Sequence, residues 1–194
     1  KKKALPSFCT ANFDVIHSIF YYCHINKLPC LIECTSNQVN QDGGYTSNTP
    51  KKFANKINKL RKKIKLNQSQ LFLGGDHLGP LAWKKNTNQT ALKKSIKLIN
   101  SFLNAKFDKI HVDTSTMCKD DKFINNDIIF DRTLKILNSK IIKKKIYDKF
   151  LVIGSEVPLS GSNDDKKVIT TSLEKIKIEA LKFRDFLEST HLKK

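Results

Sequence analysis

Short apolar runs recur along the chain at 5–11 (LPSFCTA), 28–35 (LPCLIECT), 71–77 (LFLGGDH), 109–115 (KIHVDTS) and 150–157 (FLVIGSEV). Most are too short for a helix and are bounded by turn-forming residues, so the pattern predicts five buried strands. Between them the apolar spacing changes. Phe53, Ile57, Leu60 and Ile64 step by 4, 3 and 4, and Leu92, Ile96, Ile99 and Leu103 step by 4, 3 and 4. Leu173, Ile176, Ala180, Phe183 and Leu187 step by 3, 4, 3 and 4. Each series is one apolar stripe with lysines opposite, the signature of a helix lying on a sheet. Thr49-Pro50 supplies an N-cap and a proline at the first helical position.

Strands alternating with helices predict parallel βα units. Five such units fit either an open doubly wound sheet or the first part of a TIM (β/α)8 barrel, which takes about 250 residues when complete. No GxGxxG or Walker loop follows the first strand, so the nucleotide-binding form of the open sheet loses its main support. The ends of the strands favour the barrel. On their C-terminal sides they carry Thr10 and Asn12, then Glu33 to Asn37, Asp76-His77, His111 and Asp113, and Ser155-Glu156. A barrel brings all of these to one mouth, whereas an open sheet gathers only those near its switch point. The expectation is one domain over residues 1–194, βα units one to five, continuing beyond Lys194. The start KKKALPSF, without an initiator Met, reads as the interior of a longer product.

Composition narrows the function. The 194 residues are 39% hydrophobic and 28% charged, a globular balance. A net charge of +18 would ordinarily suggest nucleic acid. Here the cations are scattered lysines, with arginine only at Arg61, Arg132 and Arg184, and arginine is the better fork for phosphates and base edges. Neither nucleic acid nor membrane is expected as a partner, since no segment approaches the length of a span. The five cysteines show no CxxC spacing, and Cys9, Cys30 and Cys34 sit in apolar runs. They read as reduced core residues of a cytoplasmic protein.

The candidate chemistry lies at the third and fourth strands. His111 and Asp113 are two apart, so both point to one face. Asp76 and His77 are adjacent, so a regular strand would split them. Gly74-Gly75 before them and Gly79-Pro80 after them are expected to let the backbone turn, bringing both to the mouth with room for a ligand at Gly75. Taken singly, Asp76 reads as a turn cap and His77 as a rim residue. Together with Glu156, the set His77, His111, Asp113 and Glu156 offers ligands for a divalent metal. The loop 36–50, SNQVNQDGGYTSNTP, is long for a βα connection. Its Asn37, Gln38, Asn40 and Gln41 amides suit sugar hydroxyls, Gly43-Gly44 give freedom, and Tyr45 could act as a lid. His17, His24 and His191 fall in helical segments away from the strand ends.

With these motifs in view, the chain resembles the D-tagatose-1,6-bisphosphate aldolase non-catalytic subunit family (GatZ/KbaZ-like). LPSFCTAN (5–12), IECTSNQVNQDGGYTSNTP (32–50), LFLGGDHLGP (71–80), KIHVDTS (109–115) and VIGSEVP (152–158) carry the likeness in family order. The resemblance implies a relative of the zinc-dependent class II aldolases, built as a TIM barrel. It matches Asp76 to the acid/base aspartate and His77 to a metal-binding histidine, with Asp113 and Glu156 as acidic residues able to hold the metal in another position. Two further zinc histidines would come from later strands. The resemblance implies a cytoplasmic subunit supporting a separate catalytic class II subunit in galactitol, tagatose or N-acetylgalactosamine catabolism. It also implies a sugar bisphosphate as ligand and zinc as the metal. The alternative is a metal-dependent aldolase or epimerase acting on its own, with Asp76 moving the proton.

Overall fold

The structure, a computed structural model, describes residues 4–154 and 172–190. Five strands form one parallel sheet in sequential order: β1 (Ser7–Cys9), β2 (Cys30–Thr35), β3 (Leu71–Leu78), β4 (Lys109–Asp113) and β5 (Phe150–Gly154). Between them run α1 (Phe13–Ile25), α2 (Pro50–Ile64), α3 (Asn88–Asn104), α4 (Asn126–Leu137) and the one-turn α5 (Lys140–Lys143). A final helix, α6, spans Leu173–Glu188. Each predicted strand is present: β1, β2 and β4 are shorter than expected, β3 runs one residue further, to Leu78, and the expected end of the fifth, 155–157, lies outside the described residues; all three predicted stripes lie on helices. Thr49 caps α2 as expected, its side chain accepting from the Lys52 amide with Pro50 in the first turn.

Sequential parallel order has a consequence. Right-handed crossovers that never reverse direction put every helix on the same face. That is the winding of a TIM barrel, not of a doubly wound sheet. Residue alternation agrees. On the outer face, Cys30, Ile32 and Cys34 of β2, Leu73 of β3 and Ile110 and Val112 of β4 are buried under Phe20, Phe53, Ile57, Ile99 and Phe102 of the helices. The inner face carries the other set: Ser7, Glu33, Lys109, His111 and Asp113. Among the described residues β1 and β5 each pair on one side only. Phe150 and Val152, which share the inner face with Lys109 and His111, remain exposed.

A polar layer lies low on the inner face. Lys109 Nζ donates to both carboxylate oxygens of Glu33, at 2.8 and 2.7 Å, and Ser7 Oγ donates to the same carboxylate. Glu33 is buried, so this bidentate ion pair is what makes its charge tolerable there. Gly74 faces the pair: a Cβ on it would lie 2.8 Å from Glu33 Oε2.

Candidate functional site

The end of β3 departs from regular pairing. Gly75 is opposite Ile110 and Leu78 is opposite Val112, so three steps on β3 match two on β4. One extra residue on one strand is a β-bulge. It resolves the problem that adjacency posed for Asp76 and His77, because both side chains reach the inner face. The turn expected at the glycines occurs instead at His77 itself, whose φ is +46. Histidine enters the left-handed region more readily than most residues. The glycines serve close approach. A Cβ on Gly75 would lie 2.5 Å from Leu78 Cδ1 and 2.9 Å from Phe102 Cδ1, and one on Gly79 would overlap the Asp113 carbonyl oxygen.

Four side chains meet at these strand ends in two crossed pairs. His77 Nδ1 lies 2.7 Å from Asp113 Oδ2, and His111 Nδ1 lies 2.8 Å from Asp76 Oδ1. The two imidazoles are 4.5 Å apart between centroids. Asp113 is buried, and its other oxygen accepts from the Ser115 amide and hydroxyl at 2.8 and 2.6 Å. Burial pushes the Asp76 carboxyl up, but the His111 hydrogen bond and the two imidazoles outweigh it and hold the group down at about 2. The Cys9 thiol also hydrogen-bonds this carboxylate, and burial together with Asp76 pushes the thiol up to about 12. Cys9 is therefore a protonated neighbour of the site. The expectation that it belongs to the core is corrected: it lies on the exposed inner face of an edge strand.

The Asp76 shift sets a pH window. A folded value near 2 against an ordinary 3.8 means that the contribution is fully present above pH 3.8 and is lost as pH falls towards 2. The size is about 2 kcal/mol. Urea midpoints of wild type should fall between about pH 4 and about pH 2 by more than those of Asp76→Asn. Equal slopes for the two proteins would show that Asp76 is not held this way.

Asp76, His77 and His111 offer ligand atoms within 4.8 Å of one another. One carboxylate and two imidazoles fit a borderline divalent cation such as zinc. Asp113 stands behind His77 as its hydrogen-bond partner. Glu156 lies outside the described residues, as does His191, whereas His17 and His24 lie on α1, away from the strand ends.

The 36–50 loop is held by its own amides. Asn40 is buried; its Oδ1 accepts from the amides of Asp42 and Gly44, and its Nδ2 donates to the Ser36 carbonyl. Gln38 Oε1 accepts from the Thr35 amide, and Gln41 Nε2 donates to the Lys94 carbonyl. Gly43 and Gly44 have φ of +105 and +57, which explains the glycine pair. Asn37 and Tyr45 are exposed. A groove of about 1150 Å³ lies elsewhere, between α2 and α3 on the outer face, lined by Asn55, Asn58, Ser101 and Asn104 among others. The strand-end cluster does not line it.

Comparison with known proteins gives two findings. A family model described as D-tagatose-1,6-bisphosphate aldolase subunit GatZ/KbaZ-like matches residues 1–193. The chain is also similar to the crystal structure of a probable tagatose 6 phosphate kinase from Sinorhizobium meliloti 1021, with 28% identity and a TM-score of 0.76. That match covers 95% of this chain and 45% of the other, so the chain spans less than half the length of the solved protein.

Proposed function

Because the chain belongs to the GatZ/KbaZ-like family of D-tagatose-1,6-bisphosphate aldolase subunits, we propose that it supports the activity and stability of a separate catalytic class II subunit, in cytoplasmic carbohydrate catabolism. The observation that carries the reading is the pair of crossed histidine–aspartate contacts at the ends of β3 and β4, in a chain of this family. The inner face around them is where a sugar bisphosphate would sit, with the exposed Asn37 two residues past the end of β2; Gly75 instead faces Leu78 and Phe102 on the outer side. No described helix is long and apolar enough to cross a membrane.

The exposed inner-face residues Phe150 and Val152, and the edges of β1 and β5, which among the described residues pair on one side only, support a half barrel that further βα units close. On α1 the exposed Val15 and Tyr22 sit one above the other at helical spacing, a seat for the helix that would flank a closing strand.

Asp76, His77 and His111 are the residues that would hold a divalent metal, zinc by preference of the donor set. When bound, such an ion polarises a substrate carbonyl. Asp76, held ionised by His111, is placed to accept a hydrogen bond from a substrate hydroxyl, and a group held down at about 2 is a weak base at neutral pH. The second reading, an aldolase or epimerase acting without a partner, needs Asp76 to take that proton.

Association separates the proposal from simple coexistence. The full-length protein, co-expressed with a class II tagatose-bisphosphate aldolase subunit, should co-sediment with it and lengthen its half-life at raised temperature severalfold. Two separate sedimenting species with unchanged half-lives would sink the subunit reading.

A further inference from the structure

Helices α1, α2 and α3 end in the same backbone turn. One or two residues past each helix the chain enters the left-handed region: Lys27 at φ +51, Lys65 at +63 and Lys106 at +61. The next amide then reaches back five residues, Leu28 to the Cys23 carbonyl, Leu66 to that of Arg61 and Phe107 to that of Phe102, at 3.0, 3.1 and 3.2 Å. This position favours glycine, because a Cβ there crowds the following carbonyl. Here it holds an exposed lysine at three successive helices.

The fold brings these lysines together. In a parallel sheet with a helix on each crossover, the helices end at the N-terminal side of the strands, opposite the mouth. Lys27, Lys65 and Lys106 therefore stand side by side on the connections into β2, β3 and β4, spaced about 10 Å apart like the helices that precede them. Lys62 and Lys63 in the last turn of α2, and Lys143 and Lys144 at the end of α5, add to the same rim. Among the described residues of these connections the acids are Asp108, whose Oδ2 accepts from the Leu73 amide, and Asp148, which pairs with Lys149 at 3.2 Å. The helix dipole favours cations in the last turn, which accounts for Lys62 and Lys63. It does not call for a side chain at a left-handed residue.

We propose that this rim is the docking face for an acidic protein surface, that of the catalytic class II subunit, which is thereby held at the end of the barrel away from the mouth. The inference rests on the subunit reading given above and adds where the partner binds and by what chemistry. Other polyanions fit the rim less well. Arg61 is turned inwards, its Nη1 donating to the Leu66 carbonyl at 2.9 Å. The exposed cations are separate ammonium groups, not the planar forks that grip phosphate oxygens in pairs. Stable seating on a bilayer takes apolar residues as well as charge, and of the residues that follow the lysines Leu66 and Phe107 are buried in the core. A second copy of this chain would bring the same charge to the contact.

The test is the rate at which the full-length protein associates with a class II tagatose-bisphosphate aldolase subunit on a sensor surface. One variant combines Lys27→Gly, Lys65→Gly and Lys106→Gly. Glycine suits the left-handed position, so this variant should melt close to wild type. Its on-rate should nonetheless fall by about tenfold at about 0.1 M salt, with the off-rate changed less. A control that removes the same charge from exposed helical positions, Lys51→Gln, Lys93→Gln and Lys97→Gln together, should lose far less. The wild-type on-rate should itself fall steeply between about 0.05 and about 0.5 M salt. Equal losses in the two variants, or a wild-type on-rate indifferent to salt, overturn the docking face and leave the subunit reading intact. A glycine variant that binds the subunit as wild type does, but loses binding to polyadenylate RNA or phosphatidylserine vesicles, overturns it in favour of those ligands. No association by the wild type overturns both readings. The salt series needs no variant, so a substitution that fails to fold does not remove the test.

Discussion

Gly79→Ala should abolish the stable fold or reduce it to a fraction of the wild-type soluble yield, a loss of at least about 3 kcal/mol. The reason is not backbone strain, since Gly79 has φ −173, an extended value open to any residue. It is contact: the added methyl would overlap the Asp113 carbonyl oxygen, so the end of β3 would have to part from β4. Backbone cannot yield as the tip of a side chain can. The same movement would pull Asp113 from His77, so residual folded protein should also lose the strand-end cluster. Gly75→Ala should be milder, because the obstructing atoms are Cδ1 of Leu78 and Cδ1 of Phe102, which can repack. Urea unfolding of the three proteins side by side checks the order. A Gly79→Ala protein as stable as wild type would mean that the close approach of β3 and β4 does not exist.

The second large effect concerns the buried pair lower on the inner face. Lys109→Met should cost about 3–5 kcal/mol, because it leaves the Glu33 carboxylate buried without its cation. Glu33 is 3% exposed at its side chain and Lys109 21%, so solvent screens the pair little. Glu33→Gln in the same background should restore part of the loss, and the double-mutant cycle isolates the coupling. Single and double variants of equal stability would show that the pair is replaceable. The layer also keeps Gly74 meaningful, since any side chain there would push into Glu33.

Much of this architecture is written in the pattern of apolar residues. The runs at 28–35, 71–77 and 109–115 alternate so that Cys30, Ile32 and Cys34, or Ile110 and Val112, face one way and the polar residues the other. That alternation and the strand-end chemistry were enough to point to a barrel. The bulge at Asp76-His77 was not legible, because its left-handed residue is a histidine between the pair Gly74-Gly75 and the lone Gly79, and the glycines draw attention to themselves. Their work, close packing against Leu78, Glu33 and the Asp113 carbonyl, depends on residues distant in sequence. Loop amides such as Asn40 and Gln38 look alike whether they meet a sugar or their own backbone, and only the fold assigns their hydrogen bonds here. Cys9 sits in an apolar run like Cys30 and Cys34, yet it occupies the inner face of an edge strand. A one-residue difference in phase separates a core cysteine from a neighbour of Asp76. Helices α1 and α4 have weaker periodicity than α2. In α1 apolar residues cover nearly every side, with Val15, Tyr21, Tyr22 and Ile25 exposed.

The pairing of Ser115 with Asp113 had a faint signal in the string HVDTS. A serine two residues after an aspartate at a strand end is placed to bond back to it. The pairing of His111 with Asp76 had none, since it depends on the one-residue slip between β3 and β4.

The central claim is that this chain acts as the supporting member of an aldolase pair and that Asp76 serves binding in it rather than proton transfer. The most direct measurement is tagatose-bisphosphate cleavage by the full-length protein with and without a co-expressed class II tagatose-bisphosphate aldolase subunit, wild type against Asp76→Asn. Asparagine is nearly isosteric but cannot take the proton. The account predicts no cleavage by the protein alone and most of the partnered activity kept in Asp76→Asn. Cleavage or epimerisation by the full-length protein alone, lost on Asp76→Asn, would contradict it and make Asp76 the acid/base of an enzyme.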